Sequence, residues 1–186
     1  MTPITPSDVL LLPGWQNSDL EHWQSRWERQ RGFQRVEQHD WHQALRGDWM
    51  IQLEEAVLSS ETPVVLVAHS LGCHLVAAWA AHSRQAHKVQ AALLVAPADL
   101  DISLLQSLHS WHNMVLQPLP FASTVLASSD DVWCSLERAA WMASAWGSTL
   151  VDIGPCGHIN SESGLGDWPE GLQQLQDLIA RSTPVA

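Results

Sequence analysis

The sequence predicts an α/β fold: one compact domain, a mostly parallel sheet of about six strands, and helices on both sheet faces. Three observations carry that expectation. Short aliphatic or β-branched runs alternate with longer segments of helical periodicity along the chain. Two of the runs, 63–68 (PVVLVA) and 89–96 (VQAALLVA), are almost continuously apolar, as strands covered on both faces are. The length, 186 residues with 46% hydrophobic content, suits a single domain spanning 1–186. A chain of this size buries roughly 70% of its unfolded surface without disulfide or metal staples. No internal repeat, linker or low-complexity segment interrupts it.

Each element follows in order. Residues 8–12 (DVLLL) read as a strand ended by Pro13-Gly14. Ser18-Asp19-Leu20-Glu21 has the form of a capping box, with the Ser18 hydroxyl accepting from the Glu21 amide and the Glu21 side chain reaching back. The helix it opens places Leu20, Trp23 and Trp27 on one apolar face. A weak strand follows at 33–37, then a helix at 43–58 with Leu45, Trp49, Leu53, Ala56 and Val57 facing inward. The strand 63–68 runs through His69-Ser70-Leu71-Gly72 into an Ala-rich helix reaching about Arg84. After the strand 89–96, residues 100–118 are loosely helical and end in Pro118-Leu119-Pro120. A strand at 121–127, a helix at 134–145, a last strand at 148–153 and a last helix at 170–181 complete the chain. The connection 97–120 has room for a helix or two and for no separate lid domain, so an open, shallow site is expected.

Charge and cysteine usage exclude several functions. Nine basic against twenty acidic residues give −11, and Lys88 is the one lysine. With no basic patch, binding to nucleic acid or to an anionic membrane surface is not expected. Cys73, Cys134 and Cys156 are odd in number, widely spaced and without a CxxC pair, which fits reduced thiols in a cytoplasmic protein. The opening MTPITPSDVLLLPGW lacks a basic region ahead of its short apolar run, so no leader peptide is expected. No apolar stretch approaches the ~18 residues of a membrane span.

The stretch that carries chemistry is Val64-Val65-Leu66-Val67-Ala68-His69-Ser70-Leu71-Gly72. A buried strand enters a serine-centred turn with small residues two before (Ala68) and two after (Gly72), and a helix follows: the context of a nucleophile elbow. A tight turn of this kind exposes the Ser70 hydroxyl at a helix N-terminus, whose free amides favour developing negative charge. A serine hydroxyl needs a base. His158, in Gly154-Pro155-Cys156-Gly157-His158-Ile159-Asn160, follows the last strand in a Gly-flanked loop. In a parallel sheet that loop shares the carboxyl edge with Ser70. The imidazole in turn needs a carboxylate. Asp131 of Ser128-Ser129-Asp130-Asp131 is favoured, with Asp130 as a turn-stabilising neighbour, Asp99 and Asp101 as weaker choices, and Asp152, inside a strand, the weakest. Oxyanion donors are expected from the amides of Leu71 and of Trp15, in Pro13-Gly14-Trp15-Gln16, where Gly14 lets the backbone come close. His69 is read as structural, its side chain turned away from Ser70. His39/His42 and His109/His112 have helical spacing but no third ligand, so no metal site and no cofactor is expected.

These residues resemble the retinoblastoma-binding protein nine/YdeN-like serine hydrolases, small α/β-hydrolases without a large lid. The resemblance rests on Pro13-Gly14-Trp15…Ser18…His22-Trp23-Gln24…Trp27, Ala68-His69-Ser70-Leu71-Gly72, Ala92-Leu93-Leu94-Val95-Ala96-Pro97-Ala98-Asp99, Ser128-Ser129-Asp130-Asp131 and Gly157-His158-Ile159-Asn160. It covers nearly the whole chain in order. It implies Ser70, Asp131 and His158 as a triad acting on a small ester or amide. The family usually has Pro after the acidic residue, where this chain has Val132. Members also act as protein-binding factors, so a catalytically silent module with a protein partner is the alternative reading. Of eleven tryptophans most lie at helical spacing and read as core, whereas Trp15 and Trp133 sit on loops beside the site and are expected, with Gly14, to wall a substrate pocket.

Overall fold

A computed structural model of the protein describes residues 8–101 and 106–182. Its strands are Val9–Leu12 (β1), Gln34–Arg35 (β2), Val64–His69 (β3), Val89–Val95 (β4), Ala122–Ala127 (β5) and Thr149–Asp152 (β6). The helices are Trp23–Arg31 (α1), Arg46–Ser59 (α2), Leu71–His82 (α3), Leu136–Trp146 (α4) and Pro169–Arg181 (α5). Every pairing is parallel and the order is β2-β1-β3-β4-β5-β6. The chain winds outward from β1 to β2, returns, and winds the other way through β3 to β6. Connections therefore diverge above the carboxyl ends of β1 and β3, the place where open α/β sheets form a crevice.

Alternation along the strands divides the interior into two apolar layers. Leu10, Leu12, Leu66, Ala68, Leu94 and Val125 face a layer completed by Trp49 and Leu53 of α2, Leu75 and Trp79 of α3, and Met142 and Trp146 of α4. Val9, Leu11, Val65, Val67, Leu93 and Leu126 face the opposite layer, built from Trp23 and Trp27 of α1 and Leu175 and Leu178 of α5. All six residues of β3 and all seven of β4 are buried, the physical reason their sequences read as almost continuously apolar runs. Among the described residues no helix is long and apolar enough to cross a membrane.

Three local expectations need correction. The capping box at Ser18–Glu21 does not form. Asp19 Oδ1 instead accepts from the Glu21 and His22 amides at 2.9 and 3.0 Å, because a carboxylate is a stronger acceptor than a hydroxyl. Helix α1 starts later, with His22 as its cap accepting from the Gln24 amide at 3.1 Å, and Leu20 is left exposed. Helix α2 starts at Arg46 rather than near Gln43, since Asp40 Oδ1 captures the His42 and Gln43 amides in a turn; Leu45 is exposed and Ala56 is only partly buried. Of the segment 100–118 expected to be loosely helical, residues 102–105 lie outside the described residues, and the described ones form the short 3₁₀ turn Gln106–Trp111 and otherwise irregular chain.

Candidate active site

The turn between β3 and α3 is a single residue, Ser70, with φ 54° and ψ −118°. Such a backbone is unfavourable for a side chain and persists only where its surroundings leave no alternative. Here they leave none. The Ser70 amide donates to Val95 O of β4 at 3.0 Å, and Ala68 is fully buried. A Cβ on Gly72 would lie 2.3 Å from the Leu12 carbonyl oxygen, and one on Gly14 would lie 2.9 Å from Ser70 Cβ. Two glycines thus allow the loop after β1 and the turn after β3 to touch backbone to backbone.

Ser70 Oγ is 2.9 Å from His158 Nε2, and His158 Nδ1 is 2.8 and 3.0 Å from the two carboxylate oxygens of Asp131. A carboxylate only accepts, so Nδ1 carries the proton and Nε2 offers its lone pair to the serine hydroxyl. The Asp131 side chain is 2% exposed and that of His158 is 12%, which shields the pair from solvent. Asp131 Oδ1 also accepts from the Trp133 amide at 2.9 Å.

The other carboxylates are engaged elsewhere. Asp130 Oδ1 accepts from the Gly157 amide at 2.7 Å and from Ser128 Oγ at 2.8 Å, contacts that hold it below the usual carboxylate range. It steadies the loop bearing His158 rather than the imidazole. Asp99 takes both its oxygens to Arg138, which also pairs with Asp101, and Asp152 Oδ1 accepts from the Gly154 amide. None of these three touches His158.

Leu71 opens α3, so its amide has no helical acceptor. Among the described residues the Trp15 amide has none either. A Cβ on Gly14 would lie 3.4 Å from the Leu71 nitrogen, and Gly14, Trp15 and Leu71 all line the spot next to Ser70. That spot opens into a cleft of about 730 Å³ whose apolar walls include Trp15, Leu100, Leu108 and Trp133, and whose polar walls include Asp19, His22, His69 and Asn160. The Trp15 indole is fixed by donation to His42 O at 2.8 Å, and the half-exposed Trp133 ring stands 6.2 Å from the His158 ring.

Some wall residues had no contiguous sequence signal. His22 is buried, and desolvation lowers its pKa to about 3; its Nδ1 caps α1 while Nε2 is buried without a partner. Asp99, in the cleft wall, is neutralised by Arg138 of α4. Asp19 accepts from Ser161 Oγ at 2.6 Å, tying the loop before α1 to the loop after His158. The Cys73 and Cys156 thiols are pushed up by burial, away from thiolate character. Among the described residues no group of three His, Cys, Asp or Glu side chains is arranged to hold a metal.

The sheet order and the one-residue turn after β3 define the class: an α/β-hydrolase fold. Within it, the chain belongs to the serine hydrolase family, whose model matches residues 9–177. A protein from Pectobacterium atrosepticum described as a YdeN-like hydrolase is similar at 34% identity and a TM-score of 0.83, over 92% of this chain and 90% of that one. The ydeN gene product of B. subtilis shares the fold at 20% identity and a TM-score of 0.73, over 94% of this chain and 100% of its own. So does the esterase domain of a Rhodothermus marinus protein, at 15% identity and 0.69, over 98% and 90%. No curated protein matches the chain.

Proposed function

We propose that this protein hydrolyses an ester or amide bond of a small substrate through an acyl-enzyme, with Ser70 as nucleophile, His158 as base and Asp131 as the carboxylate orienting it. The observation that carries the reading is the unbroken hydrogen-bonded line from Asp131 through His158 to Ser70 Oγ, at 2.8 and 2.9 Å. Ser70 Oγ attacks the substrate carbonyl while its proton passes to His158 Nε2. Asp131 stabilises the imidazolium, and the Leu71 and Trp15 amides receive the oxyanion. His158 then protonates the leaving alcohol or amine as the carbonyl–leaving-group bond breaks. Water, deprotonated by the same nitrogen, releases the acyl group and restores Ser70.

The cleft favours small or flexible substrates. Its walls include the half-exposed Trp133 and other apolar side chains suited to an acyl or leaving group. The residues between β4 and β5 supply Leu100 and Leu108 to its wall. A fluorophosphonate probe is expected to label the wild type and not Ser70→Ala, and p-nitrophenyl esters of short acids to be turned over by the wild type alone. Equal labelling of both proteins removes Ser70 from the reaction. A folded wild type that is neither labelled nor active favours the protein-binding alternative.

A further inference from the structure

Two buried side chains outside the Asp131–His158–Ser70 line aim donors at the backbone that carries His158. His69 places its ring Nε2 2.8 Å from the His158 carbonyl oxygen. A carbonyl only accepts, so this nitrogen bears the proton and the ring is the neutral Nε2–H tautomer. The Trp23 indole donates to the next carbonyl along, that of Ile159, also at 2.8 Å. The partners are 89 and 136 residues apart in sequence, one from the end of β3 and one from the start of α1.

The backbone they grip would not hold its shape alone. Ile159 has φ 50°, in the left-handed region, where a β-branched residue is an outlier. Strain of that kind survives only when neighbours over-determine it. The Ile159 side chain is fully buried in the layer formed with Trp23, Trp27 and Trp168, so packing fixes one side of the residue and the two N–H donors fix the carbonyls on either side of it. His69 is itself confined, with the His22 ring edge-on at 4.8 Å and the Trp23 ring at 6.1 Å. Burial, with smaller contributions from His22 and His158, keeps it far below the usual histidine range, hence a neutral donor.

We propose, resting on the serine-hydrolase reading above, that His69 and Trp23 are positioning residues: their N–H groups lock successive carbonyls of the strained 158–159 backbone and so keep the His158 imidazole within hydrogen-bond reach of Ser70. Without the His69 donor the part-buried His158 carbonyl loses its partner, and the backbone regains one by leaving the left-handed conformation, which swings the imidazole. A displacement near 1 Å at a reacting group costs about 10²-fold in rate.

The test compares His69→Phe, which keeps a ring and loses the donor, with His69→Gln, whose amide nitrogen reaches the Nε2 position, and with Trp23→Phe, which loses the indole N–H together with part of the buried ring volume. Steady-state turnover of p-nitrophenyl acetate, fluorophosphonate labelling rate and thermal melting are measured on each. His69→Phe is expected to lower kcat about 10- to 100-fold with KM little changed. His69→Gln recovers most of that loss, and Trp23→Phe gives a smaller fall in kcat, again without a change in KM. A folded His69→Phe that turns over within twofold of wild type overturns the proposal, as does His69→Gln failing as badly as His69→Phe. Should His69→Phe not fold, Trp23→Phe decides: unchanged kcat refutes the positioning role. These outcomes leave wild-type labelling at Ser70 intact, whereas a wild type that is not labelled removes the hydrolase reading and this proposal with it.

Discussion

The Ser70 turn and the His158 loop supply the two ends of one 2.9 Å contact, and they are held by opposite means. The turn lies in the middle of the sheet, between a fully buried β3 and a mostly buried α3. Exclusion fixes it: Gly72 abuts the Leu12 carbonyl and Gly14 abuts Ser70, so the backbone has nowhere else to go. The loop follows β6, an edge strand with both ends exposed, where packing alone cannot specify a conformation. Polar ties supplement the packing of Ile159 there. Ser128 Oγ accepts from the Cys156 amide, Asp130 from the Gly157 amide, and His69 and Trp23 donate to the next two carbonyls. A site assembled from the centre and the edge of a sheet thus needs steric closure at one end and a hydrogen-bonded harness at the other.

The largest expected effect separates two neighbouring aspartates within the loop's surroundings. Asp131→Asn removes the carboxylate that fixes the His158 tautomer and is expected to lower kcat by about 10⁴-fold. Asp130→Asn keeps an oxygen that accepts from the Gly157 amide and should cost less than about tenfold, the size of a modest loss of orientation. Steady-state kinetics on both variants decide it, and a reversal of the two results would make Asp130 the orienting acid. A smaller effect probes the centre of the sheet. Gly72→Ala sets a methyl against backbone that cannot move aside, and a destabilisation of about 2–3 kcal/mol by thermal or chemical melting is expected. Wild-type stability in that variant would show that exclusion is not what holds the turn.

The smallest effect per step concerns acid. His74, on α3, and His22, before α1, are held neutral by burial, with values lowered to about 4 and about 3. The unfolded chain takes up these protons below about pH 6.5 and the folded chain does not. Their contribution is therefore intact above that pH and is lost progressively as pH falls toward the folded values. Each costs about 1.4 kcal/mol per pH unit within its window. Denaturant melts at pH 7, 6 and 5 should show the decline, and His74→Gln, which keeps a donor for Ala98 O, should make it shallower by about 1.4 kcal/mol per unit. A slope identical to wild type would mean that His74 is not carried neutral into the fold.

Legibility in the sequence followed the same divide. The Ser70 turn was readable because its requirements are contiguous: an apolar strand, small residues on either side of a serine, then a helix. The loops holding Asp131 and His158 could be assigned to the same edge because parallel strands all end there. The contacts of Asp130 with the Gly157 amide and of His69 and Trp23 with the 158 and 159 carbonyls were not readable, because each depends on a partner that folding brings from 27, 89 or 136 residues away. The capping box expected at Ser18 and the helix start expected near Gln43 failed for a related reason: the carboxylates of Asp19 and Asp40 captured the nearby amides in turns.

The sequence by itself determined the alternation of strands and helices, the two-sided burial of the central strands, and the sharp serine turn, since these depend on periodicity and side-chain size within a few residues. Only the tertiary structure decided which carboxylate faces His158, how Ile159 is held in a left-handed conformation, and which walls enclose the cleft. Those outcomes are set by distances between segments remote in the chain, and no local pattern encodes such a distance.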